Sequence, residues 1–182
     1  MNSEHTLAAF QQGCCVAPVF LFAVSIVSPL IFAAIIRLTR ARAKRTQGAI
    51  AGCFAAAVFS LFWDALAVHM HWWSFPSSSD LVATLALSIF GAFVFGGTAA
   101  LIGWRMMRSG GWTGAATFVC AFVGVGLMRD HMLDANTQLL AFGAGPTGQI
   151  MAAVGYLMLA LIVQITMLAL AGHPRRDELR TN

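Results

Sequence analysis

Asp64 is the residue whose position asks most of its surroundings. It follows Phe62-Trp63 within an apolar run and stands about five residues from the end of that run, or roughly 7–8 Å at 1.5 Å per residue. An ionisable group so placed is costly in hydrocarbon and needs a compensating role. His71 stands seven residues on, nearly on the same helical face; Val68 falls between them, and His69 points elsewhere. A second polar group, Arg129-Asp130-His131 with Asp134 beyond it, closes another apolar run. Asp130 and Asp134, and His131 and Asp134, become neighbours if that helix continues. The chemistry these residues suit is protonation of an alkene followed by passage through carbocations. It needs a protonated carboxylic acid, for which Asp64 and Asp130 are the candidates. It also needs aromatic faces that stabilise a cation, and Phe62, Trp63, Trp72, Trp73 and Phe75 lie close to Asp64 in sequence. Trp63, His71, Trp72, Trp73, Phe75, Arg129 and His131 are the candidate substrate-contacting residues. Structural roles compete. Arg129 could pair with Asp64, Asp130 or Asp134 to hold two helices, Asp80 suits a helix N-terminus, and tryptophans gather at membrane interfaces without doing chemistry.

The elements that would carry these residues follow from composition. Of 182 residues 59% are hydrophobic and 10% are charged, against roughly 25% charged in an average soluble domain. Eleven basic and seven acidic residues cannot cover a soluble surface, which excludes a water-soluble globular enzyme. A disordered chain, which needs low hydrophobicity, is excluded as well. A crossing helix takes about 20 apolar residues, and five stretches qualify: residues 15–38, 49–70, 81–106, 112–128 and 149–171. The expectation is an all-α, polytopic bundle of five transmembrane helices forming a single domain over residues 1–182. Strict apolar–polar alternation, the mark of a membrane barrel, is absent.

Charge sets the orientation. Arg37, Arg40, Arg42, Lys44 and Arg45 fill the first connection, Arg105 and Arg108 the third, and Arg175, Arg176 and Arg180 the tail. Ten of the 11 basic residues thus fall on one side and only Arg129 on the other. The positive-inside rule then puts the N-terminus outside and the C-terminus in the cytoplasm of a multi-pass, cell-membrane protein. A cleaved signal peptide is not expected, because residues 1–13 carry no Lys or Arg. Gly48, Gly52, Ala56 and Ser60 recur every four residues, a spacing that lets backbones approach, and Asp64 continues it toward a neighbouring helix. Ala92/Gly96 and Gly148/Ala152 repeat the pattern.

The segment Trp63-Asp64-Ala65-Leu66-Ala67-Val68, running on through Trp72-Trp73-Ser74-Phe75, resembles the W-D-x-x-A-V-x(4)-W-x-F segment of the membrane-embedded lycopene cyclases, a family of carotenoid cyclases. The resemblance covers about residues 16–76, including Ser28-Pro29-Leu30 and the basic loop Arg37–Arg45. It implies an integral membrane isomerase-type enzyme of isoprenoid and carotenoid biosynthesis, without a cofactor, acting as a terpene cyclase on a lipid-soluble substrate. That family opens its third helix with P-x-E-E-x-x-F-F, whereas this chain has Ser79-Asp80-Leu81 and no glutamate between Glu4 and Glu178. The alternative is a non-enzymatic membrane protein that binds lipid, forms a homo-oligomer or serves as accessory subunit of a larger complex.

Other classes find little footing. Cys14, Cys15, Cys53 and Cys120 form no C-x-x-C pair and read as buried apolar residues rather than a metal or disulfide framework. A haem would need His69 or His71 with His131, all at helix ends. Phosphate-loop, dinucleotide and H-E-x-x-H motifs are absent. The basic residues serve topology, so no nucleic acid is expected.

Overall fold

The computed structural model describes residues 27–75, 91, 93–137 and 140–172, with 135–137 by backbone alone. Helix α1 spans Val27–Leu38 and α2 spans Ala43–His69. A two-residue strand β1, Trp73–Ser74, follows. A π-helix over Phe93–Thr98 leads into α3, Ala99–Thr137. Strand β2, Ala141–Phe142, precedes α4, Thr147–Ala171. Three helical stretches are long and apolar enough to cross a membrane: Ala43–His69, Phe93–Asp134 and Thr147–Ala171.

The middle stretch is not straight. Gly111 has φ 60° and ψ −137°, outside helical values, and only glycine adopts such a conformation readily. Phe95 and Phe122 lie 27 positions apart yet their rings meet at 5.7 Å, where a straight helix would hold them about 40 Å apart. The chain therefore doubles back at Gly111, and residues 99–110 and 112–137 pack as two arms. Gly114 sits so close to the Met106 carbonyl that a β-carbon would have no room there. The expected third and fourth spans, residues 81–106 and 112–128, thus meet at this glycine fold, where two helices are joined across the kink. Residues 15–26, 76–90 and 173–182, with Ala92, Asp80 and the tail arginines, lie outside the described residues. Helix α2 starts at Ala43, before the expected residue 49, because Lys44 and Arg45 are good helix formers that a hydropathy window discards.

Packing runs on small residues. Gly48, Gly52 and Ala56 of α2 are buried, as is Gly96 of the π-helix. A β-carbon on Gly52 would lie 3.5 Å from Ala100 and 3.7 Å from Val163, while one on Gly96 would lie 2.9 Å from Ala56. Helix α4 runs antiparallel to α2: Gly48 faces Met167, and Gly155 makes room for the Trp63 indole. Large apolar residues turn outward instead: Phe54 is 68% exposed, Phe62 64% and Ile165 64%. Along α2, small residues at the seam and large ones on the outer face suit an apolar solvent, where close backbone approach drives association. Across one end, β1 and β2 pair antiparallel, Trp73 opposite Phe142 and Ser74 opposite Ala141, and Gly143 N–H donates to the Trp72 carbonyl at 2.8 Å. This clamp ties the exit of α2 to the entry of α4.

Candidate functional site

Three elements bring charged side chains together near the clamp. Asp130, in the second arm of α3, is 6% exposed. Arg129 turns back on its chain neighbour, donating from Nε at 2.9 Å and Nη2 at 2.7 Å to Asp130 Oδ1. From α4, the Tyr156 hydroxyl lies 2.9 Å from each Asp130 oxygen. The Arg129 guanidinium also stands 5.0 Å above the Phe95 ring and 5.6 Å above the Tyr156 ring. Such faces attract a cation, the more so where water is scarce. Gly126 provides the room for Tyr156: a β-carbon there would lie about 2.6 Å from ring carbons. Among the described residues, Arg129–Asp130 is the one ion pair.

Asp64 joins this group from α2. It is half-buried and lies within electrostatic reach of Arg129 and Asp130. The Trp73 indole lies close to it without reaching hydrogen-bond geometry, which leaves the buried Trp73 Nε1 without a partner among the described residues. Two carboxylates and one guanidinium therefore share the site. Around it runs a ladder of rings: Phe59 stacks on Trp63 at 5.7 Å, Trp63 meets Trp72 at 5.8 Å, and Trp72 meets Trp73 at 6.4 Å. Trp73 meets Phe142 edge-on at 6.5 Å, and Phe142 meets His131 at 5.7 Å. Trp63, Trp72, Phe75 and Phe142 pack around buried Trp73 and Ala67.

The sequence-predicted residues thus divide. Asp64, Asp130, Arg129, Trp63, Trp72 and Trp73 converge. His131 is exposed and touches the ladder only at Phe142. The expectation that His71 shares the Asp64 face through Val68 is corrected. Helix α2 ends at His69, Val68 is 42% exposed, and His71 takes φ 58°. Trp72 N–H reaches back to Ala67 O at 2.9 Å and His71 N–H to Val68 O at 3.2 Å. This left-handed turn is the ordinary way to satisfy a helix's last carbonyls, and it swings His71 into the open. Seven-residue spacing holds a face only while the helix lasts.

Two contributors escaped the sequence reading. Tyr156 is the chain's single tyrosine, set in an otherwise apolar run, and a lone hydroxyl there was the available signal. Phe95 gave none. Deeper in the bundle, Gln164 Nε2 donates to the Ala99 carbonyl at 3.2 Å. Gln164 Oε1 and Thr98 Oγ1 are buried without partners among the described residues, beside the end of the π-helix. Among the same residues no cluster of three His, Cys, Asp or Glu side chains could hold a metal ion.

Along the outer face of α2 a shallow apolar groove of about 500 Å³ is lined by Phe54, Ala55, Val58, Phe59, Phe62 and, from α4, Ile162. Phe59 belongs both to this groove and to the ring ladder. Compared with family models, curated proteins and solved structures, the chain matches none.

Proposed function

We propose that this is a multi-pass membrane protein that draws an isoprenoid from the bilayer along the Phe54–Phe62 groove and protonates it from Asp64, as a cyclase of the lycopene cyclase type would. The observation that carries the reading is the convergence of a half-buried carboxylate, a ladder of aromatic rings and an apolar groove that meets the ladder at Phe59, which stacks on Trp63 next to Asp64. An alkene entering from lipid would meet the acid and the cation-stabilising faces together. Asp130 has both oxygens engaged by Tyr156 and Arg129, so its part is to position Arg129 beside Asp64. Trp72, Trp73 and Phe75 would shape the site, and His71 and His131 would lie at its mouth. No cofactor enters this reaction.

The test is the isoprenoid profile of cells expressing the protein. Asp64→Asn keeps size and hydrogen bonding but loses the acid, so it should abolish turnover while the protein still inserts. Unchanged products from a stably folded variant would sink the catalytic assignment. If Asp64 serves only to balance Arg129, the same change destabilises the fold and Arg129→Gln restores it.

A second reading draws on the Asp130–Arg129–Tyr156 network itself. Its groups are mutually engaged, as in a lock between helices, and a lipid-binding accessory subunit needs nothing more. The isoprenoid profile separates the two.

In either reading the π-helix with the first arm of α3 makes one crossing and the second arm another, giving five crossings with the N-terminus outside. Support comes from the gathering of Arg37–Arg45, Arg105 and Arg108 at one end and Arg129 at the other. A C-terminal reporter active only in the cytoplasm should therefore report and an N-terminal one should not; the opposite pattern reverses the orientation.

A further inference from the structure

At the end remote from Asp64, two arginines converge on one indole. Arg45, in the first turn of α2, sits 4.8 Å from the Trp104 ring centroid, and Arg108, beside the Gly111 fold, sits 5.8 Å from it. The ring is fixed from α4, since Trp104 Nε1 donates to the Gly172 carbonyl at 3.2 Å. Neither arginine forms an ion pair among the described residues, and the charges that bear on Arg45 are Arg108 and Arg42. Like charges held beside one ring repel unless an anion lies between them. A third feature points the same way. Helix α2 begins at Ala43 with no acidic residue in its first turn and no side-chain cap from Arg42. The Arg45 and Thr46 N–H groups are taken up by the Arg42 carbonyl at 2.9 and 3.0 Å, so what this helix start adds beside Arg45 is the positive end of the α2 dipole.

We infer that Arg45 and Arg108, converging on Trp104 beside the positive end of α2, form a binding site for a phosphate group, supplied by the headgroup of an anionic phospholipid. Two forked guanidiniums from different helices match phosphate oxygens in a way that scattered lysines do not. A headgroup seated between helices at a basic membrane end is the form of lipid recognition such pockets take. The site is independent of the Asp64 chemistry, and failure of either leaves the other standing.

The experiment is thermal unfolding of the purified full-length protein in neutral detergent, titrated in turn with phosphatidylglycerol, phosphatidylcholine and inorganic phosphate. Phosphatidylglycerol should raise the melting temperature saturably and phosphatidylcholine should not. Arg45→Gln/Arg108→Gln should weaken the response about tenfold or more, and Arg45→Lys/Arg108→Lys should restore part of it. Arg37→Gln/Lys44→Gln removes the same charge from the same end away from Trp104, and should keep the response. An equal response to inorganic phosphate would confirm the site and make free phosphate its source. Equal loss in both glutamine pairs would show a diffuse surface potential and overturn the site. So would the absence of any response to phosphatidylglycerol and phosphate.

Discussion

The two ends of this bundle handle charge in opposite ways. At the Gly111 end, arginines crowd together with like sign, lay their guanidiniums over Trp104, and find backbone carbonyls such as Leu38 O, 3.2 Å from Arg105 Nη1. At the clamp end, charges of opposite sign interlock: Asp130 takes hydrogen bonds from Arg129 and Tyr156, and Asp64 closes the group. About 19 residues of α2 separate Arg45 from Asp64, or roughly 28 Å of rise, close to the hydrocarbon thickness of a bilayer. Location explains the contrast. Long basic side chains at a membrane face snorkel into headgroups and need no protein partner. Asp130 is too short and too deeply set to do so, and must find its partners inside.

The sharpest way to break this comparison is to remove a charge from each end. Asp130→Ala should cost about 2–3 kcal/mol. That is below the roughly 3–5 kcal/mol of a fully buried pair, because Arg129 keeps 43% exposure and Asp64 remains within its reach. Arg45→Gln or Arg108→Gln should change stability by no more than about 0.5 kcal/mol, the usual scale for a surface charge. Unfolding in mixed detergent micelles measures both. Equal losses at the two ends would mean that the basic end is as tightly networked as the acidic one.

A milder change sharpens the same point. Tyr156→Phe keeps the ring over which Arg129 stands and removes only the hydroxyl. The expected loss is about 1–2 kcal/mol, that of a hydrogen bond to a charged group. A loss equal to that of Asp130→Ala would show Tyr156, rather than Arg129, to be the partner that matters to Asp130.

How much of this was legible beforehand depended on the range of the interaction. Asp64 was found because its neighbours along the helix, Trp63 and the small-residue spacing from Gly48, are local features. The Gly111 fold was foreshadowed by Ser109-Gly110-Gly111, whose glycines interrupt the apolar run between the two arms. Tyr156 meets Asp130 across 26 positions, and Arg129 meets Phe95 across 34. No periodicity encodes such contacts, because they depend on which helices lie side by side. The β1–β2 clamp was invisible for a related reason: two residues per strand leave no alternation to read. Residues 112–171, where no family segment was recognised, supply half of the candidate site.

The smallest expected effect is at His71, and it asks whether the clamp end is shaped for chemistry or only for folding. Helices α1 and α2 finish in the same way. Arg40 has φ 46° and His71 φ 58°, and in each case the following N–H bonds five residues back, Ala41 to Ile36 O at 3.1 Å and Trp72 to Ala67 O at 2.9 Å. Glycine is the usual residue at such a position because a β-carbon is strained there. His71→Gly should therefore stabilise the protein, by about 0.5 kcal/mol once glycine's greater freedom in the unfolded chain is counted, and His71→Asn by a similar amount without that entropic cost. Stabilisation with unchanged isoprenoid turnover would make His71 a helix stop and remove it from the mouth of the site. Stabilisation with reduced turnover would mean that the strain is kept for the sake of the imidazole. That outcome would draw the comparison between the two ends tighter, because the strain at His71 would then serve an imidazole near Asp64, while the same strain at Arg40 serves to end α1.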